Sequence, residues 1–310
     1  ELGELRARHH ARAGRRNDQR SGGQDHGIVV AADRFAGLFG QPPILRHEAA
    51  DDGMIGRITH LFDIGEHSVE IGVALRSGGW AGAEFWSERA DPTLTFDALL
   101  RRSEVITIGA DGGGRDDLLG ICFLGREIGT GRWLAWCKAW AWPSALHQRK
   151  SEAGRYADFQ RAGDLVVVDS VGEDLADLVQ MVIAVRDAGL LPERHGIGVD
   201  PGNHHAVTQA LLEAGFEAEQ IAFVSQGWRL GGPMKLAERM LAEGTIIHAG
   251  QPLMAWCVGN AKVEPKGNAV IVTKQASGSA KIDALMAMLN AVELMARNPD
   301  AACVADAMIV

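Results

Sequence analysis

The chain is 310 residues long, 46% hydrophobic and 23% charged, a globular composition that excludes the low-hydrophobicity, high-charge regime of disordered chains. Its four cysteines, Cys122, Cys137, Cys257 and Cys303, form no CxxC pair, so neither a zinc site nor a disulfide framework is indicated. A net charge of −9 speaks against a broad phosphate-binding surface of Lys and Arg, unless bound cations supply positive charge locally. No segment approaches the roughly 18 apolar residues of a membrane helix, and the first residues lack the apolar core of a secretion signal, so a cytoplasmic protein without membrane contact is expected.

Residues 1–26 carry Arg6, Arg8, Arg12, Arg15, Arg16 and Arg20 among Gly, His and Gln with no apolar period, and read as a basic, disordered tail. Residues 27–100 mix short apolar runs such as Ile28-Val29-Val30 with an aromatic cluster at Trp80, Phe85 and Trp86, and read as an extension or linker of no assigned fold. A folded domain is predicted over 101–298, with a short tail at 299–310. It opens on a buried-strand run from Val105 to Asp111 that ends in a carboxylate and a glycine turn, followed by strand candidates at 118–128 and 132–142. Three successive strands suggest an antiparallel meander.

Residues 144–162 place Leu146, Tyr156 and Phe159 on one helical face, and Leu165 to Asp169 returns to strand. From Glu173 to Leu191 the residues Leu175, Leu178, Val179, Val182, Ile183 and Val185 describe an amphipathic helix, which leads into a strand at Gly196 to Asp200. Helices at 204–214, 233–242 and 253–258 then alternate with strands at 221–225, 246–248 and 270–274. The last helix is predicted from Lys281 to Arg297, with Ile282, Leu285, Met286, Leu289, Val292 and Met295 at helical spacing and Asp283 on its first turn. Three strands followed by alternating helix and strand is an α/β order.

Two strands ending in acids put those carboxylates at the C-terminal edge of a sheet, where open α/β sheets place their ligands, and an acid borne on a helix completes the set. Asp111, Asp200 and Asp283 are therefore the candidate catalytic and metal-ligating residues. Three converging carboxylates repel one another unless cations lie between them, and oxygen ligands at that density suit Mg²⁺ or Mn²⁺. Two such ions activate a water and stabilise the leaving oxygen of a phosphodiester without a nucleophilic side chain.

The run Gly109-Ala110-Asp111-Gly112-Gly113-Gly114 permits a tight turn and close approach of backbone to phosphate, but is not GxGxxG, so no dinucleotide site is read. The pair Asp116-Asp117 fits a solvated turn, with Asp117 kept as a further candidate ligand. His204-His205 follow Asp200 closely enough to approach the site and equally suit a surface helix start. His147 and His248 read as structural, and Trp133, Trp136, Trp140 and Trp142 as packing residues. No GxxxxGKS or GxxxxGKT occurs, so no Walker-type nucleotide site is expected.

From about Val69 onwards the chain resembles the C-terminal part of the large terminase subunits of tailed phages and prophages. The resemblance rests on Trp80-Ala-Gly-Ala-Glu-Phe-Trp86, the segment Ile108 to Leu119, Gly198-Val-Asp-Pro201, Ser225-Gln-Gly-Trp228, Pro252-Leu-Met-Ala-Trp256, Gly259-Asn-Ala-Lys-Val263, Lys274 and Lys281-Ile-Asp283. It implies a ribonuclease-H-like nuclease, a mixed sheet flanked by helices, whose metal-bound acids fall on Asp111, Asp200 and Asp283, with Asn260 and Lys274 as auxiliary residues near DNA. It also implies double-stranded DNA as substrate, cut during genome packaging in the bacterial host cytoplasm, and a small terminase subunit and portal protein as partners. The ATPase motor of full-length subunits is not expected of this chain. Two other readings stand beside this one. A catalytically idle prophage remnant would bind DNA or packaging partners. The Gly-x-Asp-Gly-Gly-Gly run also resembles the phosphate loop of actin- and hexokinase-like sugar kinases, although Arg115 follows where those carry a threonine and no second loop is found.

Overall fold

In a computed structural model, which describes residues 78–114, 117–148, 150–202, 205–266, 269–274 and 280–301, the period of two in the first strand decides which residues face which layer. Along β1 (Ser103–Gly112), Ile106, Ile108 and Ala110 enter one apolar cluster, while Val105 enters the other and Thr107 and Gly109 lie on its side. β1 pairs antiparallel with β2 (Leu118–Glu127), and β2 with β3 (Trp133–Ala141), forming the expected meander. On the other side of β1 lie β5 (Ile197–Val199) and then β6 (Ile221–Phe223), both parallel. The free edge of β3 is shared by two short parallel strands, β4 (Leu165–Val167) along its second half and β7 (Ile246–His248) along its first. The resulting order, β4-β3-β2-β1-β5-β6, is that of a ribonuclease-H-like mixed sheet.

Helices cover both faces. One face is packed by α2 (Phe96–Arg102), α5 (Glu173–Asp187) and α6 (His205–Glu213). In α5 the residues Leu178, Val179, Met181, Val182 and Val185 are buried, and the Glu173 side chain accepts hydrogen bonds from the Asp169 and Ser170 amides just ahead of the first turn. The opposite face holds α7 (Gly231–Glu243), α8 (Pro252–Asn260) and α9 (Asp283–Met295). α9 is buried on nearly every side, as an apolar helix lying between a sheet and two other helices must be.

Residues 80–100 contribute to these same cores: Trp80 and Trp86, the latter in the short helix α1 (Ala83–Trp86), join the α9 side, and Leu94, Phe96 and Leu99 join the other. Trp86 stacks on His248 with ring centroids 3.8 Å apart. The His248 Nδ1 accepts from the Gly250 amide, which leaves Nε2–H to donate to the Trp86 carbonyl, a wholly structural arrangement. The tryptophans of β3 are packing residues too, Trp136 against Phe96 and Phe123, and Trp140 donating to Asp177.

Two sequence expectations differ from the structure. The stretch 144–162 is two helices, α3 (Pro143–Gln148) and α4 (Ala153–Arg161), with a 3-10 turn at Lys150–Glu152. An unbroken helix would turn Leu146 about 80° away from Tyr156, and the break lets both meet one cluster with Phe159. The strand at 270–274 has a partner that the sequence did not reveal: β8 (Ala261–Lys266) and β9 (Ala269–Lys274) form a separate antiparallel hairpin. The tail 1–26, residues 27–77 of the proposed extension and residues 302–310 lie outside the described residues. Among the described residues no helix is long and apolar enough to cross a membrane.

Where β1 begins and β2 ends, Glu127 is gripped by Arg102, Arg132 and Thr130, and Arg102 reaches Asp91 as well. Burial pushes the Glu127 carboxyl up, but these three hydrogen-bonding partners outweigh it and hold the group at about 2, against its ordinary 4.5. Folding thus favours the ionised form, so this stabilisation is present above pH 4.5 and disappears as pH falls towards 2. Glu127→Gln is expected to lose about 2 kcal/mol at pH 6 and little near pH 2, read from urea midpoints at both values. A second expectation concerns α9: a Cβ on Gly109 would meet the Ala287 carbonyl oxygen at 1.9 Å, so Gly109→Ala forces the backbone of α9 away. A loss of about 3 kcal/mol in the same assay is expected, while Gly154→Ala, in a helix with nothing within 4 Å, leaves stability equal or higher.

Candidate active site

Two repeats run in step and bring the acids to one place. Two residues of strand advance about 6.7 Å and four residues of helix about 6 Å, so alternate residues of β1 meet every fourth residue of an antiparallel α9. Thr107 Oγ1 donates to the Ala291 carbonyl, and Gly109 lies against Ala287 and Ala291. The next step aligns Asp111 with the helix start, Asp283. Close approach is possible because the sheet has no side chain there. Gly120 pairs with Asp111 across β2, and a Cβ on it would meet the Asp283 backbone at 3.0 Å.

The second acid arrives by register. Ala110 pairs with Val199 on the parallel strand β5, so Asp111 and Asp200 leave adjacent strand ends side by side. Gly198 lies under Asn290 and Leu294 of α9, and Asp200, two residues on, continues that face. The Gly202 amide donates to Asp200 Oδ1 at 3.1 Å, a local turn that fixes the carboxylate. Asp283 is 5% exposed and stands on the first turn of α9, where the helix dipole favours a negative charge. Its charge reaches α8: burial pushes the Cys257 thiol well up, and the Asp283 carboxylate adds to that rise.

The glycine turn after β1 is shaped for this neighbourhood. Gly112, Gly113 and Gly114 all have φ between 82° and 115°, which side-chain-bearing residues avoid. A Cβ on Gly112 would meet the Leu118 carbonyl oxygen at 2.1 Å and Asp283 Oδ1 at 3.0 Å, so the missing side chain lets β2 and this carboxylate both come close. Asp117 closes the turn and forms an ion pair with Lys281, whose side chain is 3% exposed against 32% for the aspartate. Asn260 Nδ2 donates to the Lys281 carbonyl at 3.0 Å, tethering the segment that enters α9.

The structure therefore carries Asp111, Asp200 and Asp283 on one face at one end of the sheet. Among the described residues no three acids, histidines or cysteines are disposed to enclose a metal ion directly. Three carboxylates on three adjoining elements, with a glycine turn making room for one of them, still fit hard divalent cations by their donor chemistry. Asp116 and His204 lie outside the described residues, as does the side chain of Lys274, whose backbone ends β9. His205 begins α6 as an exposed residue.

Three residues near the site escaped the sequence reading of roles. Lys281 and Gln226 lie in quoted motifs but had no function attached, and Asn290 is a wholly buried amide within an apolar helix. The signal for Asn290 was that polarity mismatch: an amide among Leu289, Ala291 and Val292 must find hydrogen-bond partners.

A sheet of this order, with acids at the C-terminal ends of β1 and β5 and at the start of the covering helix, defines a nuclease-like α/β domain. The chain matches the family model "Terminase large subunit, endonuclease domain" over residues 87–298, and it belongs to that family. The sugar-kinase resemblance is accordingly set aside. A curated relative, Protein YmfN of Escherichia coli K12, is 23% identical over 148 residues, covering 47% of this chain and 31% of YmfN. The HK97 bacteriophage large terminase is similar in structure with a TM-score of 0.52 at 18% identity, covering 69% of this chain and 42% of that one. The large terminase nuclease of thermophilic phage G20c, in a structure with bound magnesium, matches at 12% identity and a TM-score of 0.42 over 69% of this chain and 95% of that one. The chain thus spans less than half the length of YmfN and of the HK97 protein.

The Lys281 side chain is 3% exposed and that of Asp117 32%, so Asp117→Asn takes a carboxylate from an ammonium almost wholly out of water. The substitution is expected to cost about 1 kcal/mol or more, measured by denaturant titration; an unchanged midpoint would contradict the burial argument.

Proposed function

We propose that this chain is a metal-dependent endonuclease that cleaves double-stranded phage DNA during genome packaging. The observation that supports this reading is that Asp111 on β1, Asp200 after β5 and Asp283 at the start of α9 lie at one end of the sheet, within a domain of the terminase endonuclease family. These aspartates are assigned as the ligands of two divalent cations, Mg²⁺ or Mn²⁺, with Asp117 left to its ion pair with Lys281. Such ions supply acidification of a water and stabilisation of the leaving oxygen in phosphodiester hydrolysis.

The protein's own residues do the rest. Asp111 and Asp200, fixed by strand ends, set the spacing of the site, and Asp283 closes it from a helix that cannot move without disturbing the sheet. The Gly112-Gly113-Gly114 turn lets backbone approach a phosphate that a side chain would keep away. Lys281 places a fixed positive charge beside the acids, and Asn260 holds the segment that bears it. Lys274, at the end of β9, is assigned to the DNA-facing side. Sequence preference is expected to come from partners, a small terminase subunit and a portal protein, in the cytoplasm of the bacterial host. The division proposed is a tail at 1–26, an extension at 27–100 whose residues 80–100 pack into the nuclease cores, the nuclease at 101–298 and a tail at 299–310.

The test is cleavage of supercoiled and linear plasmid by the purified chain in Mn²⁺, Mg²⁺ or EDTA. Cleavage is expected with either metal and not with EDTA. Asp111→Asn, Asp200→Asn and Asp283→Asn should each reduce the rate by about a hundredfold or more, since even residues that merely support a ligand cost 10–100-fold. Wild-type-like cutting by any one of them removes that residue from the mechanism. A folded wild-type chain that cuts under no condition points instead to a remnant that binds DNA or packaging partners.

A further inference from the structure

Behind Asp111 stands a pair of uncharged amides whose hydrogen bonds run in one direction. Asn290 is 0% exposed, and its Nδ2 donates to the carbonyl of Ala110, the residue just before Asp111, at 3.0 Å. That bond fixes which way the Asn290 amide faces, so its Oδ1 is turned towards Gln226 as an acceptor. Gln226 Nε2 carries two protons and has two acceptors, Asn290 Oδ1 at 3.3 Å and Asp111 Oδ1 at 3.4 Å. Reversing either amide would set carbonyl against carbonyl or carboxylate, so the whole chain of bonds has one consistent polarity.

The chemistry of the donor matters as much as its position. A primary amide orients the carboxylate and leaves its charge in place. Both Gln226 contacts lie at the long end of the hydrogen-bond range, so their value is in orientation more than in folding energy. Gln226 comes from the loop that follows β6, next to the 3-10 turn Gly227–Leu230, and Asn290 from the middle of α9, so the relay ties a surface loop to the helix that bears Asp283.

We propose that Gln226 and Asn290 are positioning residues that hold the Asp111 carboxylate in the orientation needed to bind a divalent cation. This rests on the assignment of Asp111 as a metal ligand, and the experiment separates the two. Mn²⁺ binding to the purified chain, in the absence of DNA, is followed by the electron paramagnetic resonance signal of free Mn²⁺, for wild type, Asp111→Asn and Gln226→Met. Gln226→Met keeps side-chain length and removes the donor. Gln226→Ala is the second variant, should the first not fold, and melting temperatures accompany each titration.

The expected result is that Asp111→Asn loses the site, while Gln226→Met weakens Mn²⁺ binding about tenfold with a melting temperature close to wild type. Asn290→Ser, which shortens the relay at its buried end, should weaken binding in the same direction. If Asp111→Asn abolishes binding and both Gln226 variants bind as wild type does, the relay is overturned and the metal assignment stands. If Asp111→Asn binds as wild type does, the metal assignment itself fails and takes the relay with it.

Discussion

The close contact of α9 with the glycines of the sheet is the constraint on which the remaining geometry depends. A helix normally rides about 10 Å above a sheet on interleaved side chains. Here Gly109 and Gly120 let the backbone of Ala287 and Asp283 come into direct contact with β1 and β2. The Thr107 hydroxyl and the Asn290 amide bond across the same interface, each to a backbone carbonyl of the other element. Sliding the helix by one turn would break both bonds and drive Cβ atoms into the strands. The alignment of Asp283 with Asp111 is thus a consequence of packing that is specified over about two turns of helix.

The two ends of the sheet treat carboxylates in opposite ways. At the end where β2 meets β3, Glu127 is held by two arginines and a threonine, and its charge is answered in full. At the other end the Gln226 amide donates to Asp111 and a backbone N–H to Asp200, both uncharged donors. The first pattern stabilises the fold and is silent chemically. Donors of the second kind orient a carboxylate without adding a charge of their own, which suits the proposed cation site. The net charge of −9 is therefore no argument against a DNA-cutting role, because what a polyanionic substrate meets is set locally by the acids together with their cations.

Much of this was legible in the sequence because it is written in short-range periods. The meander, the amphipathic helix 173–187 and the closing helix all announced themselves through spacing of two or of three to four, and the resemblance named the fold. Less visible was anything that depends on pairing between distant segments. Ala261 to Lys266 has a proline and two lysines in six residues, and only its partner β9 makes it a strand. The aromatic cluster at 80–86 looked unattached because its anchor, His248, lies more than 160 residues later. Gln226 and Asn290 are ordinary amides until α9 is laid on β1.

That last point bears on how the site is kept rigid. Asp111 and Asp283 come from elements that share one interface, whereas Asp200 follows a three-residue strand and Gln226 a loop. Such short strands have little stiffness of their own, and they inherit it from the register with β1 on one side and from α9 above, which lies against Gly198. Asn290 links these parts, since its backbone carbonyl lies by Gly198 while its side chain holds Ala110 and takes the Gln226 amide. One residue in the middle of the helix therefore touches both acid-bearing strands and the loop that orients Asp111. The helix is best understood as the part of the fold from which the positions of all three acids are measured.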